Sequence, residues 1–284
     1  MNEAVTVGRA FREAERSLTA AGVPSARLDA RILLGRALGV GQEAIVADPD
    51  RPIDPQARRD FGRLLARRVA REPISHILGG REFWGLDFEV TADTLDPRPD
   101  SETLVEAVLA RVGPTDRPLR LLDFGAGTGC LLLALLSELP AARGVGVDRS
   151  AAALAVARLN ASRHSLSHRA VFVAGRWGDS LAGEFDVVVA NPPYVPTSDI
   201  ATLSPEVNRF EPRLALDGGP DGLECFRELA PDIARLMAPD GFAVVEFGRD
   251  QSDSVAAISD GHGLRPLAIV RDLAERPRCA VLTR

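Results

Sequence analysis

The chain contains no lysine; all 34 of its basic residues are arginine. That absence excludes a lysine Schiff base, a P-loop lysine and a lysine general base. Cysteine is scarce: Cys130, Cys225 and Cys279 are far apart and odd in number, which suits neither a disulfide framework nor a zinc site. No apolar run reaches the ~18 residues of a membrane span. The first residues, MNEAVTVGRAFREAER, place charges where a secretory signal would be apolar. A soluble, cytoplasmic protein with no metal and no membrane partner is expected. Forty acidic residues give a net charge of −6, which does not favour nucleic acid as a partner. What is present is 284 residues, 45% hydrophobic and 26% charged, enough for one large domain or two unequal ones.

The first 75 residues read as short helices forming a small bundle. Phe11, Ala14, Leu18 and Ala21 recur at helical spacing, and Gly22 with Pro24 ends the pattern. Ser25 is expected to cap a second helix with the face Leu28, Ile32, Leu34 and Leu38. Asp54-Pro55 pairs a capping side chain with a proline at the first helical position, ahead of Phe61, Leu64, Leu65 and Val69. Gly79-Gly80, Phe83-Trp84 and Phe88–Val90 predict a β-hairpin, and Asp100 is placed to cap the helix after it. From about residue 100, strand-like runs (119–123, 144–148, 170–174, 185–190 and 242–247) alternate with helical stretches. This predicts a mostly parallel, doubly wound Rossmann-like sheet. Residues 266–271 and 279–283 read as two further strands, with an antiparallel C-terminal strand.

Asp123-Phe124-Gly125-Ala126-Gly127-Thr128-Gly129 closes the first strand and opens a helix. Glycines there let the backbone turn tightly and approach a ligand at the helix N-terminus. Position 130 is Cys, so the third small residue of a dinucleotide fingerprint is missing. The spacing G-x-G-x-G, with Asp two residues earlier, fits an S-adenosylmethionine site instead; an ordinary strand-to-helix turn is the alternative. Asp148 ends the next strand, where a carboxylate suits two ribose hydroxyls or the cap of the following helix.

Asn191-Pro192-Pro193-Tyr194 follows the fourth strand at the carboxyl edge of the sheet, where open α/β sheets bind ligands. Two prolines remove donors and leave carbonyls free to accept. With the Asn191 side chain, those acceptors suit a planar NH2 group, and Tyr194, the only tyrosine, offers a ring face. An amide nitrogen is a poor nucleophile because its lone pair is delocalised. Accepting both of its protons would localise that pair and aim it at a sulfonium methyl, so rate comes from positioning and fixed dipoles. None of His76, His164, His168 or His262 lies in these motifs.

With both loops placed, the chain resembles the class I S-adenosylmethionine-dependent methyltransferases, and more closely the HemK-type N(5)-glutamine methyltransferases that modify peptide chain release factors. The likeness covers nearly the whole chain. It includes Arg81–Gly85, Pro97–Glu102, the glycine loop, Asn191–Tyr194, Phe210-Glu211-Pro212 and Arg271-Asp272-Leu273. It implies a helical substrate-recognition domain (1–74), a β-hairpin linker (75–99) and a methyltransferase domain (100–284). The implied cofactor is S-adenosylmethionine and the implied partner a release factor, whose glutamine enters beside the Asn-Pro-Pro-Tyr loop. By the same resemblance Gly125, Ala126, Gly127, Thr128 and Gly129 contact the methionine part, Asp148 the ribose and Trp177 the adenine, the alternative for Trp177 being a core position after the third strand. Asn191 and Pro192 would hold the glutamine amide, with Asn191 also beside the cofactor, while Pro193 and Tyr194 shape the pocket. Arg98 is read either as ordering the cofactor entrance or as a surface ion pair.

Three positions depart from the family pattern. Arg176 stands where an acidic residue often faces the adenine amino group, and arginine cannot accept a hydrogen bond. Asp96 replaces an aliphatic residue, and Glu275 sits where glycine is common. Rival readings are an adenine-N6 nucleic-acid methyltransferase and a catalytically silent S-adenosylmethionine-binding protein. The first needs a basic, base-stacking surface, for which Arg67-Arg68 and Arg71 are the one short candidate. The second would not need the acceptors of an intact Asn-Pro-Pro-Tyr. A nicotinamide oxidoreductase is disfavoured by Cys130.

Overall fold

A computed structural model describes residues 5–284. The expectation of no signal segment falls partly on residues 1–4, outside the described residues. The chain forms two units: one holds the residues up to Leu78 together with Ser204–Phe210, and the other holds Gly79–Leu203 and Glu211–Arg284.

The first unit comprises α1 (Val7–Ala20), α2 (Ala26–Leu38), α3 (Gln42–Ala47), α4 (Pro55–Val69) and α5 (Ile74–Leu78). Asp54 caps α4 by accepting from the N–H groups of Gln56 and Ala57, both at 2.9 Å. Ser25 occupies the cap position of α2 but makes no side-chain capping bond. The buried stripe of α1 is Val7, Ala10, Ala14 and Leu18; Ala14 and Leu18 are where the sequence put them, while Phe11 and Ala21 are half-buried. In α2 the core takes Ala26, Ala30, Leu33 and Leu34, while Leu28 is 49% exposed. Apolar residues surround that helix, so periodicity alone could not choose its inward face. Asp29 goes in because Arg68 donates to it at 2.7 Å. The short helix Pro205–Phe210, α9 in chain order, belongs to this unit, and its Glu206 accepts from Arg68 at 2.9 Å and from Arg71 at 2.6 Å.

The second unit opens with a hairpin, β1 (Gly80–Phe83) and β2 (Leu86–Glu89). Trp84 (φ 53°) and Gly85 (φ 70°) both take positive φ, the signature of a two-residue primed turn. The stretch from 75, expected to start the hairpin, is still helical up to Leu78. There follow α6 (Glu102–Val112), β3 (Arg120–Phe124), α7 (Cys130–Glu138), β4 (Arg143–Asp148), α8 (Ala151–Arg163), β5 (Ala170–Ala174) and β6 (Phe185–Ala190). The unit ends with α10 (Glu224–Leu236), β7 (Met237–Glu246), α11 (Ser252–Asp260), β8 (Arg265–Arg271) and β9 (Pro277–Thr283). Asp100 does not cap α6; it lies inside a 3-10 turn, Pro99–Ser101, and its carboxylate accepts from Arg278 at 2.9 Å instead.

The sheet order is β5-β4-β3-β6-β7-β9-β8. The first five strands are parallel, and β9 runs antiparallel to both neighbours. The Rossmann-like class read from the sequence is the observed fold. Strand β3 shows why its run is apolar throughout: Leu121 packs into one core cluster while Leu122 and Phe124 pack into another. Reversal of strand order beside β3 leaves a crevice at the carboxyl ends of β3, β4 and β6, which is where both chemical loops emerge. Among the described residues, no helix is long and apolar enough to cross a membrane.

Candidate active site

The glycine loop begins where β3 ends. Gly125 and Ala126 donate to the carbonyl of Val147 at 2.8 and 3.0 Å, which ties the loop to β4. Gly125 (φ 75°) and Gly129 (φ 80°) take the left-handed region that favours glycine. A Cβ on Gly129 would press on Phe172, Ala157 and Leu133 at 3.2–3.3 Å, whereas at Gly125 the nearest atom is the Asn191 carbonyl oxygen at 4.0 Å. The first glycine therefore leaves open backbone for a ligand, and the last serves close helix packing. Asp148 ends β4 and does two jobs at once. One carboxylate oxygen accepts from Gly127 N–H at 2.9 Å and the other from Ser150 N–H at 2.8 Å. Ser150 itself caps α8 through Ala153 N–H at 3.1 Å. A carboxylate has about four lone-pair sites, so Asp148 keeps acceptor capacity for two further donors.

These residues line a cavity of about 650 Å³, which also meets Trp177, Asn191 and Pro193. Ala126, Thr128, Gly129, Pro192 and Tyr194 do not line it. Thr128 is 2% exposed and serves the loop's own packing, its carbonyl accepting from Asn160 at 3.0 Å. Trp177 takes φ 47°, stands edge-on to Phe124 at 6.3 Å, and donates its indole N–H to Glu228 at 2.8 Å. Arg176 forms an ion pair with the same Glu228. Asp123 is sealed beneath the loop at 1% exposure, and burial, with the Asp148 charge adding, pushes its carboxyl up to about 7.

Behind the Asn-Pro-Pro-Tyr loop lies a polar chain. Asn191 Nδ2 donates to Ser101 Oγ at 3.0 Å, Ser101 donates to Glu246 Oε2 at 2.7 Å, and Tyr194 OH donates to Glu246 Oε1 at 3.3 Å. Glu246 is 1% exposed. Burial pushes its carboxyl up to about 7, against the pull of Ser101, Arg278 and Tyr194 and with the nearby Asp100 charge adding to the rise. Burial likewise raises the Tyr194 hydroxyl, so it stays a donor. Tyr194 thus turns its polar end to this chain. Arg98 forms an ion pair at 2.6 Å with Glu211, whose side chain is buried rather than at the surface. Asp96 pairs with Arg81 at 3.0 Å, and Glu275 adopts φ 59°, the conformation for which glycine is common there.

Ser101, Glu246 and Glu228 were not singled out as site residues from the sequence. Glu246 carried one usable signal: it ends a parallel strand at the ligand-bearing edge of the sheet. The cavity, the open backbone at Gly125 and the unused acceptors of Asp148 fit an adenosine with a charged amino-acid tail, since drug-sized sites span ~300–1,000 Å³.

Two family models match the chain, the PrmC N-terminal domain over residues 9–79 and the methyltransferase small domain over residues 94–204. The release factor glutamine methyltransferase of Rhodospirillum rubrum is 46% identical over 99% of this chain and 86% of its own length. That of Caulobacter vibrioides is 44% identical over 96% of this chain and 95% of its own. The ribosomal protein L11 methylase of Lactobacillus delbrueckii subsp. bulgaricus shares the fold, with a TM-score of 0.50 and 18% identity over 67% of this chain and 83% of that one. On the strength of near-full-length identity and of both matching domains, this chain belongs to the release factor glutamine methyltransferase family.

Proposed function

We propose that the protein transfers a methyl group from S-adenosylmethionine to the side-chain amide nitrogen of a glutamine in a peptide chain release factor, in the cytoplasm. One observation supports this reading most: Asn191 borders the cavity with Nδ2 committed to Ser101, and among the described residues Oδ1 takes no hydrogen bond. The Asn191 carboxamide therefore presents an acceptor, which is what an incoming NH2 group needs.

S-adenosylmethionine supplies an electrophilic methyl on a sulfonium. Asp148 accepts from the ribose hydroxyls, the Trp177 face packs on the adenine, and the open backbone at Gly125 and Gly127 admits the methionine tail. Asn191 Oδ1 accepts one amide proton of the glutamine and, as the family resemblance implies, the Pro192 carbonyl, outside the cavity lining, accepts the other, which confines the nitrogen lone pair to the direction of transfer. The prolines restrain the backbone carbonyl, so little of its reorganisation is left for the transition state. No strong base is needed, because the methylated nitrogen is itself very acidic and loses its proton to water or to a carbonyl acceptor.

The test is methyl transfer with labelled S-adenosylmethionine to a purified release factor and to its Gly-Gly-Gln→Gly-Gly-Ala variant. Label on the first alone is expected. Label on neither, with cofactor binding intact, overturns the substrate. Label on an adenine-containing oligonucleotide would favour the nucleic-acid reading.

A further inference from the structure

An asparagine carboxamide is nearly symmetric in shape, so an active site that needs its oxygen must stop it from turning over. Asn191 accomplishes this through neighbours that make no contact with the cavity. Ser101 Oγ has one proton, and it lies 2.7 Å from a Glu246 oxygen and 3.0 Å from Asn191 Nδ2. When Glu246 is ionised it can only accept. The Ser101 proton then points to Glu246, a Ser101 lone pair points to Asn191, and only the NH2 end of Asn191 can satisfy it. Tyr194 OH, donating to the other Glu246 oxygen, removes the remaining freedom of that carboxylate.

We propose that Ser101 and Glu246 are positioning residues that set the polarity of the Asn191 carboxamide, and that the site is competent only while Glu246 is ionised. The proposal rests on the amide-methylation reading above. Protonating Glu246 reverses the chain: the carboxyl donates to Ser101, the Ser101 proton turns to Asn191, and the carboxamide presents NH2 to a substrate that also presents NH2. Two donors then face each other and the acceptor is lost.

The groups facing Glu246 allow this titration to occur near neutrality. Arg278 from β9 and the hydroxyls of Ser101 and Tyr194 favour the charge. Burial and Asp100 oppose it, and Cys279 on β9, its thiol pushed up to about 12 by burial with the Glu246 charge adding, offers no proton exchange in this range. Arg278 is shared with Asp100 and Asp272, both at 2.9 Å, and so is not Glu246's own counter-ion. The carboxyl is raised above its usual value to about 7, so activity is present above that pH and falls as pH drops through it.

The experiment uses the full chain as wild type, Ser101→Ala, Ser101→Thr and Glu246→Gln, with S-adenosylmethionine affinity measured alongside turnover. Ser101→Ala is expected to lower kcat roughly 10- to 100-fold, in line with the cost of a misplaced group, with cofactor affinity unchanged. Ser101→Thr, which keeps the hydroxyl, recovers most of that loss. Wild-type kcat falls below pH about 7, whereas Glu246→Gln is slower and loses this acid limb. A second readout needs no release factor: the Asn191 side-chain amide signals of the cofactor-bound protein shift across the same pH range in wild type and stay fixed in Glu246→Gln. Wild-type turnover with an acid limb that persists in Glu246→Gln overturns the proposal, as does Ser101→Ala with wild-type kcat. Absence of label on the release factor, with the Asn191 signals still titrating, overturns the substrate reading and leaves the positioning pair standing.

Discussion

Replacing Asn191 with alanine separates what this residue does for the fold from what it does for the reaction. In the folded protein it is half-buried and gives one side-chain hydrogen bond, to Ser101. Ser101 keeps its own donor bond to Glu246 when Asn191 is cut back, so no buried donor is orphaned. The stability cost is therefore that of one ordinary hydrogen bond, about 1 kcal/mol. For a domain of this size that lowers Tm by roughly 2–4 °C. The catalytic cost is expected to be larger, because in the proposed mechanism the lost oxygen is the preorganised acceptor for the amide proton. Removing one such oriented group from an active site costs about 3–4 kcal/mol, or roughly 10²–10³ in kcat. The assay is single-turnover methyl transfer to a release factor at saturating S-adenosylmethionine, with cofactor affinity by calorimetry and Tm by scanning calorimetry. The expected pattern is a large fall in rate, a small fall in Tm and an unchanged cofactor affinity. Near-normal turnover would refute the amide-clamp mechanism. A rate loss matched by an equal loss of cofactor affinity would make Asn191 a binding residue only.

Asp148→Ala is expected to weaken S-adenosylmethionine binding by at least about 100-fold, since two hydrogen bonds to a charged acceptor go and each is worth about 1.5–3 kcal/mol; calorimetry showing unchanged affinity removes the ribose assignment. Glu228→Ala takes away the acceptor of the Trp177 indole and is expected to weaken cofactor binding several-fold, about what one such bond supplies, with a changed Trp177 emission; the same affinity and emission as wild type would show that this carboxylate does not place the ring. Asp123→Asn is expected to raise the Tm of the cofactor-free protein at pH 8. The folded-state carboxyl lies at about 7, above its usual 3.8, so its stabilising contribution is present at low pH and lost as pH rises through 7. Wild-type Tm should therefore climb between pH 8 and 6, and a variant with the same slope as wild type would show that Asp123 is not the group responsible.

The sheet was legible because each parallel strand is buried on both faces, and such a run of apolar residues has few other uses. Strands β5 and β6 fall at the residues read from sequence, and β3, β4, β8 and β9 within two residues at either end. Strand β7 starts earlier, at Met237 rather than 242, because Met237 pairs with Phe185 across an irregular register. The helical unit was less legible. Alanine and leucine ring α2 on every side, so the buried side is set by the Asp29–Arg68 pair, a long-range contact that no local pattern announces. For the same reason α9 was not foreseen: the six residues Pro205–Phe210 hold no buried apolar side chain and are attached through Glu206 to two arginines distant in sequence. The chemical loops were readable because glycines and prolines act through the backbone, whose consequences are local. The polar chain Asn191–Ser101–Glu246 was not, because its links are 90 and 145 residues apart and exist only once β6 and β7 are paired.

The departure at Arg176 follows the same logic. Read alone, an arginine beside Trp177 removes an acceptor from the place where the adenine amino group is expected. In the structure it does not stand alone: its guanidinium is drawn to Glu228, one turn into the exposed side of α10, and that carboxylate borders the cavity while holding the Trp177 indole. An acidic group thus reaches the cavity beside Trp177 from a helix 52 residues further on. Arg176 is half exposed, so the pair itself stabilises little. Its effect is geometric. It engages the same carboxylate that holds the Trp177 indole. A substitution that in one dimension removes an acidic group beside Trp177 is met in three dimensions by a carboxylate from another element.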